Sequence, residues 1–328
     1  MGHIDRYCRN QRLSNVCRLF FPMEPTRDCV EHDDGALGNS CIHRGSKNCS
    51  PQPQKRLRRA SKERHITLTN DARLIAEPAT ILRGLVGSSV HGLVLSGTDD
   101  RDEMGVCVEP RRYVVGFGQF EQWVFRSAAE REGHAGARSR AGDLDLTIYS
   151  LRKWARLALQ GNPTVLLLLY LPGDALVLRT SAGEHLQKLA PAFASRKAGR
   201  RFLGYLEAQR HRLVGERGQR NINRTELVEQ FGYDTKYAMH MLRLGYQGVE
   251  FLESGRLTLP MREPVRSHLM DVRRGRSNLA DVLAECTQIE MRLTGLLDSS
   301  PLPLEPDLKT VEDFVMDTYA AAWASRQA

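Results

Sequence analysis

The hydrophobic positions of this chain change rhythm near its middle. Between residues 66 and 150 they come in short runs closed by Gly, Pro or clustered acids. From 151 onward they recur every three or four positions. The first pattern predicts strands, the second amphipathic helices. "ARLIAEPATILRGLVGS" reads as a short helix or turn, a break at Pro78, and an apolar strand. "EMGVCVEP" reads as a second strand ended by Pro110. "RRYVVGFGQFEQWVFRS" is rich in aromatic and β-branched residues and reads as strand. "AAEREGHAGARSRAG" is polar and glycine-rich and reads as a long mobile loop. "DLDLTIYS" alternates, which puts Asp143, Asp145, Thr147 and Tyr149 on one face of a half-buried strand.

In the second half, Ser150 can cap "LRKWARLALQ", and Gly161 with Pro163 stops it. "VLLLLYL" at 165–171 reads as a buried helix or strand, too short to span a bilayer. Residues 180–215 read as one or two basic amphipathic helices. "YDTKYAMHMLRLGYQGVEFLES" is helical to Gly245 or beyond, with Asp234 as its cap. Met239, Leu242 and Tyr246 face one way on it; Lys236, His240 and Arg243 form another stripe. "RLTLP" reads as a short strand, and three further helices follow. The expected class is α+β: a small mixed β-sheet with flanking helices, then a helical domain. The expected domains are 1–65, 66–179 and 180–328.

Charge alters this picture at one end only. The 328-residue chain carries a net +8. Residues 1–65 hold 13 of the 47 Lys and Arg against 7 of the 39 Asp and Glu, so most of the excess lies there. This segment ends in "SPQPQKRLRRASKER" and reads as a disordered basic extension or a nucleic-acid-binding arm. Five of the seven cysteines lie within its first 49 residues, but no Cys-x-x-Cys pair occurs, which argues against zinc. With neither a signal peptide nor a long apolar span, the expected setting is cytoplasmic, with no membrane partner.

Three features of the sheet half carry candidate chemistry. Gly87-Ser88 follows an apolar strand, and a Gly-Ser turn into a helix can hold phosphate; it is equally a common turn. Asp100 and Asp102, at i and i+2 on a strand, point to one side and repel each other unless a cation intervenes. Magnesium suits such oxygen ligands. Their plain alternative is a solvated acidic turn shared with Asp99 and Glu103. Asp145 opens a later strand that can pair beside them, with Asp143 as its competitor.

In this order the features resemble the nucleotidyltransferase superfamily with the DNA polymerase beta-like fold. More narrowly, the chain is similar to the predicted nucleotidyltransferases of bacteria and phages. The resemblance rests on "GLVGSSVHGL", "DRDEMGV", "DLTIYSLRKWARLALQGNPTVL" and "YDTKYAMHMLRL" and covers about residues 75–260. It implies that Gly87 and Ser88 bind the nucleotide; Lys236, in the "YDTKYAMHMLRL" match, is either a further phosphate contact or part of a solvated helix face. It implies Asp100, Asp102 and Asp145 as catalytic ligands of two Mg²⁺ ions. The reaction implied moves a nucleoside monophosphate from a nucleoside triphosphate to an acceptor and releases pyrophosphate. Where the family commonly has a serine before Asp-x-Asp, this chain has Asp99. The acceptor, whether small molecule, protein or nucleic-acid end, is not implied. A non-catalytic nucleotide-binding or nucleic-acid-interacting protein of the same fold is the alternative.

Overall fold

The computed structural model describes residues 72–95, 100–134, 136–137, 139–215 and 224–325. The basic extension and its cysteines therefore lie outside the described residues, as does Asp99.

A helical turn at 72–76 and a 3-10 turn at Glu77–Ala79 lead into β1 (Thr80–Val86). Gly87 then opens the short helix α1 (Ser88–His91). β2 (Arg101–Cys107), β3 (Gln122–Arg126), α2 (Ser127–Glu132) and β4 (Leu144–Ser150) follow. Next come α3 (Leu151–Leu159), α4 (Pro163–Leu166) and β5 (Leu176–Arg179). The sheet runs β3-β4-β2-β1-β5, with β2 and β4 parallel and the other neighbours antiparallel.

The helical half comprises α5 (Ser181–Lys188), α6 (Ala190–Phe193), α7 (Arg196–Val214) and α8 (Thr225–Phe231). It continues with α9 (Thr235–Ser254), α10 (Val265–Arg273), α11 (Leu279–Ser299) and α12 (Leu308–Ala324). Its core gathers Leu206, Met241, Leu242, Leu252, Val272, Ile289 and Leu293. α9 continues through Gly245 and Gly248; a Cβ at Gly245 would strike Leu206 and Ile289, and one at Gly248 would strike Phe202. The glycines let α7 and α11 approach the α9 backbone. Ser150, Asn162 and Asp234 each cap a helix, accepting a backbone N–H from Lys153, Thr164 and Tyr237. No helix among the described residues is long and apolar enough to cross a membrane.

The structure corrects several local expectations. Residues 111–120 form turns rather than strand, and only Gln122–Arg126 pairs. Gly116 lies over the Arg112 carbonyl, where a Cβ would stand 2.5 Å from the oxygen, so the segment folds back on itself. The supposed loop after β3 begins as α2, whose Ala and Glu favour helix until Gly133 ends it at φ 75°. "RLTLP" has no partner strand; Glu250 instead takes hydrogen bonds from the Thr258 N–H and hydroxyl. β5 went unread, since it has only four residues, three of them exposed, on the sheet edge.

Candidate active site

Register brings the acids together. In the parallel β2–β4 pair Asp102 lies opposite Asp145, and in the antiparallel β1–β2 pair it lies opposite Val86. Asp100, two residues before Asp102, turns to the same side. One carboxylate oxygen from each of Asp100, Asp102 and Asp145 falls within 4.8 Å of the others, all three partly buried. Like charges at this range raise each other's energy unless a cation sits among them.

The contacts of Asp145 are lopsided. Its Oδ2 accepts from Arg126 Nε at 3.1 Å and Ser139 Oγ at 3.0 Å. Its Oδ1 is buried with no hydrogen-bond partner. A buried carboxylate oxygen left bare is costly, and a metal ion is the natural partner where two other carboxylates converge. The donor set, three carboxylate oxygens, fits a hard divalent cation.

The neighbouring acids are differently placed. Asp143 is buried and receives both Nη atoms of Arg131, at 2.5 and 2.9 Å, with the Arg140 N–H and the Ser127 hydroxyl. The Arg131 hydrogen bonds hold its pKa far below the usual carboxylate range. Every lobe of this carboxylate is engaged, so it anchors the 127–143 segment. Glu103 points to the other face, buried between Arg83 and Arg101.

Gly87 sits against Asp102. At φ 75° a Cβ here would lie 2.2 Å from Asp102 Oδ2 and 3.0 Å from its Cγ. Any side chain would be strained and would push the carboxylate aside. Ser88, buried, starts α1. The other end of α1 carries His91, which sequence reasoning passed over. His91 meets Arg243 Nη1 through Nε2 at 2.7 Å and Gln247 through Nδ1 at 3.3 Å. Arg243 also reaches Gln247 Oε1 at 2.8 Å and His240 Nδ1 at 3.4 Å, while its Nε has no partner. Burial lowers the guanidinium to about 10. Burial, then the Arg243 charge, holds both histidines well below their ordinary pKa and therefore neutral. Arg243 is thus a partly buried cation whose contacts among the described residues are neutral groups, with no carboxylate among them. Lys236 lies one turn before His240, on the first turn of α9.

A family profile described as the RNA repair pathway DNA polymerase beta family matches residues 50–297. The chain belongs to this family. The polymerase beta superfamily assignment and the α+β class expected from sequence therefore both hold. A solved nucleotidyltransferase-like protein from Exiguobacterium sibiricum is similar at 12% identity, over 73% of this chain and 75% of that one, with a TM-score of 0.26. No curated protein matches the sequence. Family membership gives the general kind of activity, nucleotidyl transfer.

Proposed function

We propose that this family member is a Mg²⁺-dependent enzyme that transfers a nucleoside monophosphate from a nucleoside triphosphate to an RNA end, releasing pyrophosphate. The observation that carries the reading is electrostatic. At one end of α1, three carboxylates converge with a bare oxygen on Asp145. At the other end, the partly buried Arg243 meets no carboxylate among the described residues. A magnesium nucleoside triphosphate supplies a cation to the first and an anion to the second.

Asp100, Asp102 and Asp145 would hold two Mg²⁺. Bound there, the metals neutralise phosphate charge and make the acceptor hydroxyl more acidic. Gly87 gives the triphosphate close approach to backbone N–H groups, and Ser88 adds its hydroxyl. Lys236 and Arg243 hold the phosphates that leave. Arg126 and Ser139 fix the Asp145 carboxylate through one oxygen and leave the other free. The acceptor oxygen bonds to the α-phosphorus while the bond from that phosphorus to the pyrophosphate oxygen breaks. The acceptor proton leaves to Asp145 or to water, and the electron pair departs with pyrophosphate.

The family description supports RNA as the acceptor class. Incubating the purified chain with α-labelled triphosphates, Mg²⁺ and single-stranded RNA tests the reading. Label on the RNA with matching pyrophosphate is the expected result. Triphosphate binding without transfer to RNA, protein or small acceptors would instead mark a nucleotide-binding protein.

A further inference from the structure

The segment 111–120, between β2 and β3, presents a surface that the chemistry above does not use. Phe117 is fully solvent-exposed, at 106% of its reference area, and Val115 is exposed at 67%. Arg111 and Arg112 are exposed beside them, and neither meets a carboxylate among the described residues. Arg112 lies over the Tyr113 ring, 4.8 Å from its centroid. The acids flanking the segment are spent elsewhere: Glu109 is buried, and Glu121 is paired with Lys153 and Arg156. A pocket of about 420 Å³ opens beside it, lined by Leu74, Pro78, Pro110, Arg112 and Tyr113 among others.

Contiguous exposed apolar surface marks interaction sites, and Val115 and Phe117 stand exposed two residues apart. Here the apolar groups follow two guanidinium groups that meet no carboxylate among the described residues; Arg112 donates only to the Tyr113 hydroxyl, at 3.1 Å. A protein partner would need acids for those cations. Single-stranded nucleic acid offers both complements at once, since bases stack on aromatic rings and phosphates pair with arginine.

Position favours the same occupant. β3 is an edge strand that starts just after this segment and ends at Arg126, opposite Asp145. The distance along it is roughly 15 Å. A strand of RNA laid along this edge would place its end at the carboxylates and its upstream bases over the segment.

We infer that residues 111–117 form a stacking platform for the upstream part of a single-stranded RNA acceptor, with Phe117 as the aromatic contact and Arg111 and Arg112 as phosphate contacts. This inference rests on the reading of RNA as the acceptor.

The test uses the full chain, a labelled RNA of about 12 nucleotides and a short acceptor of about three. Phe117→Ala weakens binding of the long RNA about tenfold. Arg111→Ala/Arg112→Ala flattens the dependence of log affinity on log salt by about 1.4. Both variants keep wild-type turnover on the short acceptor, which cannot reach the platform, and both keep the wild-type Tm. Long-RNA affinity and salt slope unchanged in both variants would overturn the inference. So would a protein partner lost in Phe117→Ala while RNA affinity is unaltered. Failure of the wild-type chain to label any RNA would instead sink the acceptor reading and the platform with it.

Discussion

The two ends of α1 are opposites. By Gly87, three carboxylates crowd together and one buried oxygen has nothing to bind. By His91, a partly buried guanidinium has only neutral imidazole and amide groups as its partners among the described residues. Folding alone favours neither arrangement, since unpaired buried charge opposes stability. Each region lacks the charge that one half of a metal-bound nucleotide brings. Under the proposed function, one metal-bound nucleotide answers both regions.

The carboxylate end gives the largest effects. Asp100→Ala/Asp102→Ala removes most of the turnover, a fall of roughly 10³-fold or more in pyrophosphate release, with the fold intact by thermal unfolding. Wild-type rates in this variant would break the comparison at its acidic end. Gly87→Ala displaces Asp102 and costs about 10²-fold in kcat without loss of secondary structure.

The basic end predicts a trade of affinity against stability. Arg243→Gln raises the Kd for nucleoside triphosphate about tenfold. Its Tm does not fall, because the variant no longer buries a lone charge. Calorimetric titration and thermal scans on the same preparation read both. A lower Tm with unchanged Kd would make Arg243 a structural residue.

Two other acids sharpen the contrast through pH. Asp143 is lowered by its Arg131 and Arg140 hydrogen bonds, so its stabilisation is complete above about pH 4, its unfolded range, and fades as pH drops toward the folded pKa. Asp143→Asn therefore lowers Tm at pH 7, and the gap narrows in acid. Glu109 is the opposite case. Its Oε2 is also buried and bare, but it belongs to no acidic cluster among the described residues, and burial raises its pKa. Its ionised form penalises the fold as pH rises through that raised value. Glu109→Gln should thus gain Tm at pH 7 relative to pH 4, the smallest change of the series.

The sequence was legible where local spacing decides geometry. Asp100 and Asp102 are two apart on a strand, and Ser150 and Asp234 announce their helix starts. It was illegible where a distant group decides. Asp143 and Asp145 have the same spacing and the same expected face; Arg131, on a helix read as loop, separates them. The Lys236, His240, Arg243 stripe has the period of a solvated face, and only the packing of α1 against α9 turns Arg243 inward. The 111–120 segment has strand composition, yet Gly116 and Gly118 let it fold into turns. Gly87-Ser88 was readable as a turn, but its contact with Asp102 depends on the β1–β2 register.

The central claim is that one ligand answers both ends of α1. It is tested most directly by titrating nucleoside triphosphate with and without Mg²⁺, and Mg²⁺ with and without nucleotide, on the wild-type chain and on Asp145→Asn and Arg243→Gln. The account predicts that each ligand tightens the other by the same factor in the wild type. That coupling is lost in Asp145→Asn, and nucleotide affinity falls in Arg243→Gln. Nucleotide binding indifferent to Mg²⁺ and equal in all three proteins would contradict it.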